Sequence, residues 1–465
     1  MEATLWSSIW QQFRQHKIGV VSGCVLFIFC LVGLYAPFLA SSKPLFVIYR
    51  GEMYFPLFRY LLYTGFYTKP IDIFFNLAMF TLPLSLLFRK KAWVLAVVAI
   101  QLLGFIYIVF KVPSDPAADL KLMQERQQAL KESPPISWEF DLKYMNRYAK
   151  LNRLVQYKLL KERETTLPQH APSLWKTQEE NRNRLIQIYQ KSGDTNSLQF
   201  LLDKREWLEE ESRNLHWMVM PLISPFHWED DAGGGQEYNR AVSFWQLTRI
   251  NGKDLTAALI FGIRISLVVG ILAVSIAVII GIPIGSLAGY FGGSFDIVVS
   301  RLLEIWESMP IFFMLLLFVS ITQSKSIFLV ISVIGFFSWT TFSRYIRAEV
   351  FKQRNLPYVE AAHAIGFTSS HILFSDILPN AIPPILTLLP FSIMGAITSE
   401  AALSFLGLGE EGSCSWGVLM DEGRQVFPGE SYLLWPPAIL LTILLISIAL
   451  VGDSMRDALD PKLRK

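Results

Sequence analysis

The sequence is most informative at Tyr358-Val-Glu-Ala-Ala-His-Ala-Ile-Gly-Phe-Thr-Ser-Ser-His-Ile-Leu-Phe-Ser-Asp-Ile-Leu-Pro379. Residues 359–365 predict a short helix whose alanines permit close approach to another surface. Gly366 predicts the end of this helix, because glycine takes the left-handed conformation of a helix C-terminus without strain. Thr368 or Ser369 can cap a second short helix, which Pro379 would end or kink. We therefore predict two short helices joined at a glycine, with an ordinary interfacial loop as the alternative.

The composition on either side of this segment excludes a soluble globular protein. Of the 465 residues, 52% are hydrophobic and only 17% are charged, which is too apolar for a chain that folds in water. The formal net charge of +3 is too small to indicate binding to nucleic acid. The composition therefore indicates a membrane protein.

Eight apolar segments are candidates for crossing the membrane, since a spanning helix needs about 20 apolar residues. They are residues 18–40, 71–88, 92–110, 267–287, 297–321, 327–345, 382–403 and 433–451. The first follows a basic flank without a clear cleavage site, so we predict a retained anchor rather than a signal peptide. The second is short and contains Pro83. A re-entrant or interfacial hairpin is therefore the alternative for residues 71–110.

The basic loops indicate how the chain is oriented. If the N-terminus is cytoplasmic, eight crossings make residues 89–91, the segment 344–378 and the tail 456–465 cytoplasmic, where positively charged loops are usually found. The same parity places residues 112–245 and 407–431 on the opposite side of the membrane.

Charged residues are concentrated in one part of the chain. Residues 112–245 contain 18 Lys and Arg and 20 Asp and Glu, out of 42 and 39 in the whole sequence. Leucines spaced among Lys, Glu and Gln predict amphipathic helices there. We predict four parts: an anchor helix at 1–45, an extra membrane hairpin at 46–111, a charged helical extracytoplasmic insert at 112–245, and a membrane core at 250–465.

A metal site in the insert is a less favoured interpretation. His216, His227, Glu229, Asp230 and Asp231 could supply ligands, but their spacing does not place them on one helix face. We expect a solvated helical layer there instead, with no metal.

Residues 358–379 resemble the EAA loop of permease subunits of binding-protein-dependent ABC importers. Glu360-Ala361-Ala362 is followed by Gly366 and then by Ile377-Leu378-Pro379, which completes the spacing of that signature. Other segments resemble the oligopeptide/dipeptide branch of the family: Gly262-Ile-Arg-Ile-Ser-Leu, Ala288-Gly-Tyr-Phe-Gly-Gly293, Ala402-Leu-Ser-Phe-Leu-Gly-Leu-Gly409, Ser415-Trp-Gly417 and Gly452-Asp-Ser-Met-Arg-Asp-Ala-Leu-Asp-Pro461. The resemblance covers residues 251–465.

The resemblance implies an all-α, polytopic fold with the six-span core of an ABC importer permease. The extra hairpin brings this to about eight spans, and the insert is added to them. The implied partners are a sister permease, two ABC ATPase subunits, an extracytoplasmic solute-binding protein and membrane lipid. Residues 358–379, which we call the coupling loop, would transmit closure of the ATPases to the membrane helices. The implied roles are a polar or charged contact for Glu360, a close-packed surface for Ala361 and Ala362, the bend for Gly366, and the exit angle of the next span for Leu378 and Pro379.

The sequence lacks the residues that ATP hydrolysis needs. A phosphate-binding loop requires Gly-x4-Gly-Lys followed by Ser or Thr, whereas Gly252-Lys253 is followed by Asp254. We therefore expect no cofactor on this chain, and ATP and Mg²⁺ on the partner ATPases. The sequence also has no nucleophile elbow and no His-Glu-x-x-His pair, which argues against an independent membrane enzyme.

Four ionisable residues lie in or beside the predicted spans and are candidates for the translocation path: Arg264, Glu304, Glu307 and Glu400. Charges at membrane depth are costly and therefore often functional. The alternative that we favour is structural pairing between helices, and the long side chain of Arg264 could also reach the interface.

The resemblance implies peptide import across the bacterial inner (cytoplasmic) membrane. Nickel or another small solute stays open as the substrate, because the matching residues belong to coupling and scaffold rather than to a substrate pocket. A non-transporting receptor or assembly scaffold is a further alternative, against which the intact coupling loop argues. The sequence departs from the usual family architecture in its large insert and in the partial pattern at residues 247–254.

Overall fold

The computed structural model describes residues 10–63, 69–87, 91–111, 115–132, 137–166, 174–224, 243–249 and 254–459. The basic residues 89 and 90, four of the five residues of the metal hypothesis, Gly252-Lys253 and the tail from residue 460 lie outside this range. The chain forms two compact units. We call Val32–Arg264 the insert unit, and Met1–Leu31 with Ile265–Lys465 the core unit. The four-part division predicted from charge stays a prediction, and the insert unit unites its second and third parts.

The first half of the chain is mainly helical. Its helices are α1 (Lys17–Leu34), α2 (Ala36–Leu39), α3 (Pro56–Tyr60), α4 (Pro70–Leu87), α5 (Lys91–Lys111), α6 (Leu120–Glu132), α7 (Trp138–Lys143), α8 (Arg147–Thr166), α9 (Leu174–Ser192) and α10 (Thr195–Glu211), with short 3-10 turns at Ser212–Asn214 and Phe244–Gln246. Helices α4 and α5 form the extra hairpin. The hydroxyl of Thr81 donates to Gln101 Oε1 at 2.7 Å, and Gln101 Nε2 donates to the Phe74 carbonyl at 2.9 Å.

The insert unit is mainly helical and also contains a small sheet that the sequence analysis did not predict. Strands β1 (Phe46–Tyr49), β2 (Glu52–Tyr54) and β3 (Leu215–Val219) pair antiparallel in the order β2-β1-β3. The run Phe-Val-Ile-Tyr in β1 consists of strongly β-forming residues. The second partner of β1 is β3, which lies far along the chain.

The core unit contains the remaining elements. They are α11 (Leu255–Phe291), α12 (Gly293–Glu307), α13 (Ile311–Thr322), α14 (Ile327–Arg354), α15 (Pro357–Ile365), α16 (Ser369–His371), a π-helix (Ile372–Ile377), α17 (Leu378–Leu386), α18 (Leu389–Leu403), a second π-helix (Ser404–Leu408), α19 (Trp416–Gln425), a 3-10 turn (Ser431–Leu433) and α20 (Trp435–Leu459). The first residues of α11 belong to the insert unit.

Seven helices in the described part of the chain are long and apolar enough to cross a membrane, and one bent pair would be an eighth crossing. This agrees with the predicted polytopic, predominantly helical fold of about eight spans. The predicted crossing at 297–321 is broken, because α12 and α13 are bent by 73° relative to each other. Pro310 precedes α13 at the break. Proline lacks an N–H and disfavours helical backbone in the residue before it.

Candidate functional site

The coupling loop begins with the short helix that its sequence predicts. Helix α15 starts with Pro357 in its first turn and ends at Gly366, whose φ is +91°. The Gly366 N–H donates to the carbonyl of His363 at 3.0 Å, and the Phe367 N–H donates to that of Ala362 at 3.2 Å. This pair of bonds is a Schellman motif, which needs a left-handed residue at Gly366. The predicted helix and its stop are confirmed.

The second half of the loop differs from the prediction. Thr368 caps α16 by accepting from the His371 N–H at 3.4 Å, as expected. The helical backbone then continues through the π-helix into α17 and does not end at Pro379. The wider π-turn lies directly before Pro379, where proline has no N–H to donate. The side chain of Asn380 also donates from Nδ2 to the Asp376 carbonyl, at 2.8 Å.

One side of the coupling loop is buried in its own chain. Val359, Ala362 and Ile372 belong to a hydrophobic cluster that includes Phe342 and Val350 of α14. Leu378 packs against the same cluster. Ala362 therefore does not lie on a surface open to a partner, and this part of the sequence interpretation is corrected. The cause is helical spacing, because positions 359 and 362 fall on one face.

The other side of the loop faces outward. Glu360, Ala361 and Pro379 are exposed, and Ile365 is 74% exposed. The Phe367 ring is also exposed and stacks on His371, with ring centroids 4.6 Å apart. The outward side of the loop thus exposes one carboxylate and several apolar side chains.

Two parallel helices carry the coupling loop. Three glycines spaced four residues apart on α11 each approach a backbone carbonyl of α14: Gly281 that of Trp339, Gly285 that of Ser343 and Gly289 that of Arg347. A Cβ at Gly281 or Gly289 would lie 2.5 Å from the oxygen, so only glycine permits this approach. Membrane helices use small residues in this way to pack closely. The pattern Gly-x3-Gly-x3-Gly is visible in the sequence and is the signal that sequence analysis missed.

The C-terminal ends of α11 and α14 are hydrogen-bonded to each other and lie beside the coupling loop. Arg354 Nη1 at the end of α14 donates to the Tyr290 carbonyl at the end of α11, over 2.7 Å. The Tyr290 hydroxyl lies 3.5 Å from Nε2 of His363 in the coupling loop. Arg347 forms a two-contact ion pair with Asp296 of α12. Tyr290 thus contacts both the end of α14 and the coupling loop.

Arg264 lies in the insert unit with no exposed side-chain surface. Its Nε donates to the Gly33 carbonyl at 2.6 Å, its Nη2 to that of Leu34 at 3.2 Å, and its Nη1 to Asp72 Oδ1 at 3.2 Å. Gly33 and Leu34 end α1, and Asp72 lies in the first turn of α4. Arg264 thus joins the end of α1 to the start of α4, which is a structural pairing.

Glu304 and Glu307 have different partners from each other. Arg301 Nη1 donates to Glu304 over 2.6 Å, and both side chains are exposed. Glu307 pairs with Arg344 of α14. Both carboxylates lie at the end of α12, next to the bend before Pro310.

Glu400 is enclosed in the core unit and is 1% exposed. Its Oε1 accepts from the hydroxyls of Ser404 and Ser415, each at 2.7 Å. Ser415 also caps α19, so Glu400 joins α18 to the start of α19. The four candidate charges thus have four separate sets of partners, and their place in a translocation path stays a prediction.

Within the described ranges, no group of three or more His, Cys, Asp or Glu side chains is arranged to hold a metal ion. Of the residues in the metal hypothesis, the structure describes His216 alone.

The sequence matches two families. Residues 281–465 match the family described as binding-protein-dependent transport system inner membrane component. Residues 4–56 match the family described as the N-terminal TM domain of oligopeptide transport permease C.

Individual relatives agree with these matches. An oligopeptide transport system permease protein of Haemophilus influenzae is 35% identical over 247 residues, which are 52% of this chain and 79% of the relative. An inner membrane ABC transporter permease protein of Escherichia coli is 31% identical over 267 residues, which are 55% of this chain and 75% of the relative. A peptidoglycan transport system permease protein of Agrobacterium fabrum is 36% identical over 219 residues, which are 47% of this chain and 57% of the relative. This chain therefore spans little more than half of that relative.

Proposed function

This chain belongs to the inner membrane components of binding-protein-dependent transport systems, and on that premise we propose that it forms one half of an import path for peptides. It is a multi-pass permease subunit of the inner membrane. The other half of the path would be a sister permease. Two ATPase subunits would bind at the cytoplasmic face, and a solute-binding protein would deliver the substrate from the opposite side.

The observation that carries this proposal is the two-sided coupling loop. Val359 and Ala362 anchor it in the core cluster, whereas Glu360, Ala361 and Ile365 face outward. A short helix that exposes an isoleucine to 74% and also exposes a carboxylate is suited to a groove with an apolar floor and a polar rim. We infer that this groove belongs to an ATPase subunit.

The mechanism that we propose is mechanical. The glycine contacts between α11 and α14 leave no side chain between the two backbones, so the pair can move as one body. The bond from Arg354 to the Tyr290 carbonyl ties the pair together beside the loop. Closure of the ATPases around ATP would displace the loop, and the helix pair would turn with it, opening the path to one side of the membrane at a time. ATP and Mg²⁺ would bind to the ATPases, with no cofactor on this chain.

The names of the relatives support peptides as the substrate. They are a permease for oligopeptides and a permease for peptidoglycan, two substrates that share peptide bonds. The match of residues 4–56 to an oligopeptide permease domain supports the same substrate class. Nickel is the competing substrate for the test.

The proposal is tested by uptake into proteoliposomes. The chain is reconstituted with its sister permease, ATPases and binding protein, and ATP-dependent uptake of a labelled oligopeptide is compared with uptake of Ni²⁺. We expect peptide uptake that excess unlabelled peptide abolishes and Ni²⁺ leaves unchanged. Uptake of Ni²⁺ without uptake of peptide would contradict peptide as the substrate and identify nickel instead. Uptake of neither, with every subunit bound, would favour the non-transporting scaffold.

A further inference from the structure

The sheet of the insert unit has one packed face. Val47 and Tyr49 of β1 point to the same side and form a hydrophobic cluster with Leu151, Leu154 and Val155 of α8. Because side chains alternate along a strand, the neighbouring residues of β1 point to the opposite side.

That opposite side is also apolar. Phe46 pairs with Val219 of β3, and Ile48 pairs with Met53 of β2. Trp217 lies in the register shift between the β1–β3 pairs and has a φ of +45°. Trp217 is 78%, Met53 65% and Val219 45% exposed. We call these five residues the outer sheet face, whose polar edge is His216, opposite Ile48.

Exposed apolar side chains continue beyond the strands. Phe55 is exposed and its ring lies 5.8 Å from that of Phe46. Phe58 on α3 and Leu222 after β3 are exposed as well. A continuous patch of this kind on a protein surface marks an interaction site, because soluble surfaces rarely expose one.

Backbone hydrogen bonds hold this patch at the end of the first span. The Leu45 N–H donates to the Val219 carbonyl at 2.9 Å, and the Ile223 N–H donates to that of Leu39 at 2.8 Å. Leu39 ends α2, which directly follows α1. The same end of α1 is joined through Arg264 to the start of α4. The outer sheet face is therefore attached at the level where two membrane spans end.

Cationic and aromatic side chains accompany the patch. Lys43 Nζ lies 4.7 Å from the centre of the Tyr60 ring, and the Arg59 guanidinium lies 4.7 Å from that of Tyr148. Lysine and arginine attract anionic headgroups, and tryptophan and tyrosine concentrate at the membrane interface.

We propose that the outer sheet face rests in the interfacial region of the lipid bilayer, in the leaflet where α1 ends and α4 begins. The partner is the phospholipid headgroup and the adjoining acyl chain. Lipid is the occupant that the geometry supports, because the patch continues from span ends that already adjoin the bilayer. The insert then lies on the membrane surface and does not project freely from it. This inference requires that α1 and α4 cross the membrane and does not rest on peptide transport.

Site-directed spin labelling tests the proposal on the full-length chain in nanodiscs of phosphatidylethanolamine and phosphatidylglycerol. Cys24, Cys30 and Cys414 are replaced by Ser, and a nitroxide is attached to Met53→Cys or Val219→Cys. Glu125→Cys on α6 is the matched control, since it is exposed in the same unit. Collisions with O₂, which concentrates in lipid, are compared with collisions with a water-soluble nickel chelate.

The expected result is a several-fold higher ratio of O₂ to nickel-chelate collisions at positions 53 and 219 than at 125. Nickel-chelate access equal to that at 125 would mean that the face is in water, and protection from both reagents would mean that protein covers it. Either result would overturn the proposal. A second measurement needs no label, because Trp217→Phe should reduce the fluorescence that brominated lipid quenches. Unchanged quenching in that variant would also contradict the proposal.

Discussion

Arg264 donates from Nη1 to Asp72 Oδ1 over 3.2 Å, and through this contact the extra hairpin is fastened to helix α11. The same guanidinium lies 5.2 Å from the Phe75 ring of α4 and holds two carbonyls at the end of α1. The hairpin is therefore attached to two helices by one enclosed cation. The hairpin is thus an integral part of the insert unit.

Removal of this cation is expected to destabilise the protein strongly. Arg264→Met leaves Asp72 largely enclosed without its partner, which should lower the free energy of unfolding by about 3–5 kcal/mol. Asp72→Asn should cost less, because its amide oxygen can accept the same hydrogen bond. Thermal unfolding of the full chain in detergent measures both. The single variant Asp72→Leu completes a double-mutant cycle: if Arg264→Met/Asp72→Leu lost as much stability as Arg264→Met and Asp72→Leu lose separately when added together, the two residues would not be coupled.

The contact between α11 and α14 should not tolerate a side chain at Gly285. Gly285→Leu forces the two backbones apart, because its Cβ would meet the Ser343 carbonyl, and overpacking of this kind costs about 1–3 kcal/mol or more. We expect a lower unfolding temperature and a loss of transport. Gly395→Leu on α18 is the control, since a Cβ there has no neighbour within 4 Å. Equal unfolding temperatures for the two variants would contradict the assignment.

Gly366 should matter for coupling beyond its effect on stability. Its φ of +91° is strained for valine, so Gly366→Val should cost about 1–3 kcal/mol, whereas asparagine tolerates this region better. Gly193→Val is a matched control in the insert, at a φ of +73° and also without close neighbours. Both variants should lose similar thermal stability, but only Gly366→Val should lose ATPase stimulation by the binding protein. A loss of stimulation in both variants would argue against a specific role of the loop.

The insert unit should lose stability in acid through Glu211. The hydrogen bond from Arg50 holds the pKa of the Glu211 carboxyl below its usual range, although burial acts in the opposite direction. A carboxyl with a lowered pKa stabilises the fold above its unfolded pKa of about 4.3, and this contribution disappears as the pH falls through the folded value.

Arg50→Gln should therefore destabilise the chain by about 0.2–1 kcal/mol at neutral pH, a range that reflects the exposure of this arginine. Below the folded pKa of Glu211 the same variant should have almost no effect. Thermal unfolding of the variant and its parent, measured at neutral and at strongly acidic pH, provides the comparison. An equal loss at both pH values would exclude titration of Glu211 as the cause.

Local sequence was sufficient to predict the coupling helix and most of the spans. Gly366 lies at the left-handed position that its residue type indicates, and hydropathy located the helices that can cross a membrane. The bend at Pro310 was missed, because a hydropathy average records how apolar a segment is and not its direction. The burial of Ala362 could have been inferred from its spacing of three residues from Val359.

Long-range pairing could not be predicted from one sequence. Arg264 and Asp72 are 192 residues apart, and β1 pairs with β3 across most of the insert unit. Nothing local to either residue or strand specifies its partner. Glu400 was recognised as deep in a span, but its bonds to Ser404 and Ser415 depend on how α19 folds back against α18.

The most direct test of the central claim is ATP hydrolysis by the complete complex in nanodiscs, with and without peptide-loaded binding protein. Glu360→Arg and Ile365→Glu change exposed side chains, so folding and membrane insertion should be preserved, and Glu125→Arg is the matched charge reversal in the insert. We predict that each loop variant lowers the stimulated rate by about ten-fold, which corresponds to a loss of about 1.4 kcal/mol. Glu125→Arg should leave it unchanged. Full stimulation in both loop variants, with the ATPases still bound, would contradict the assignment of this surface as the coupling contact.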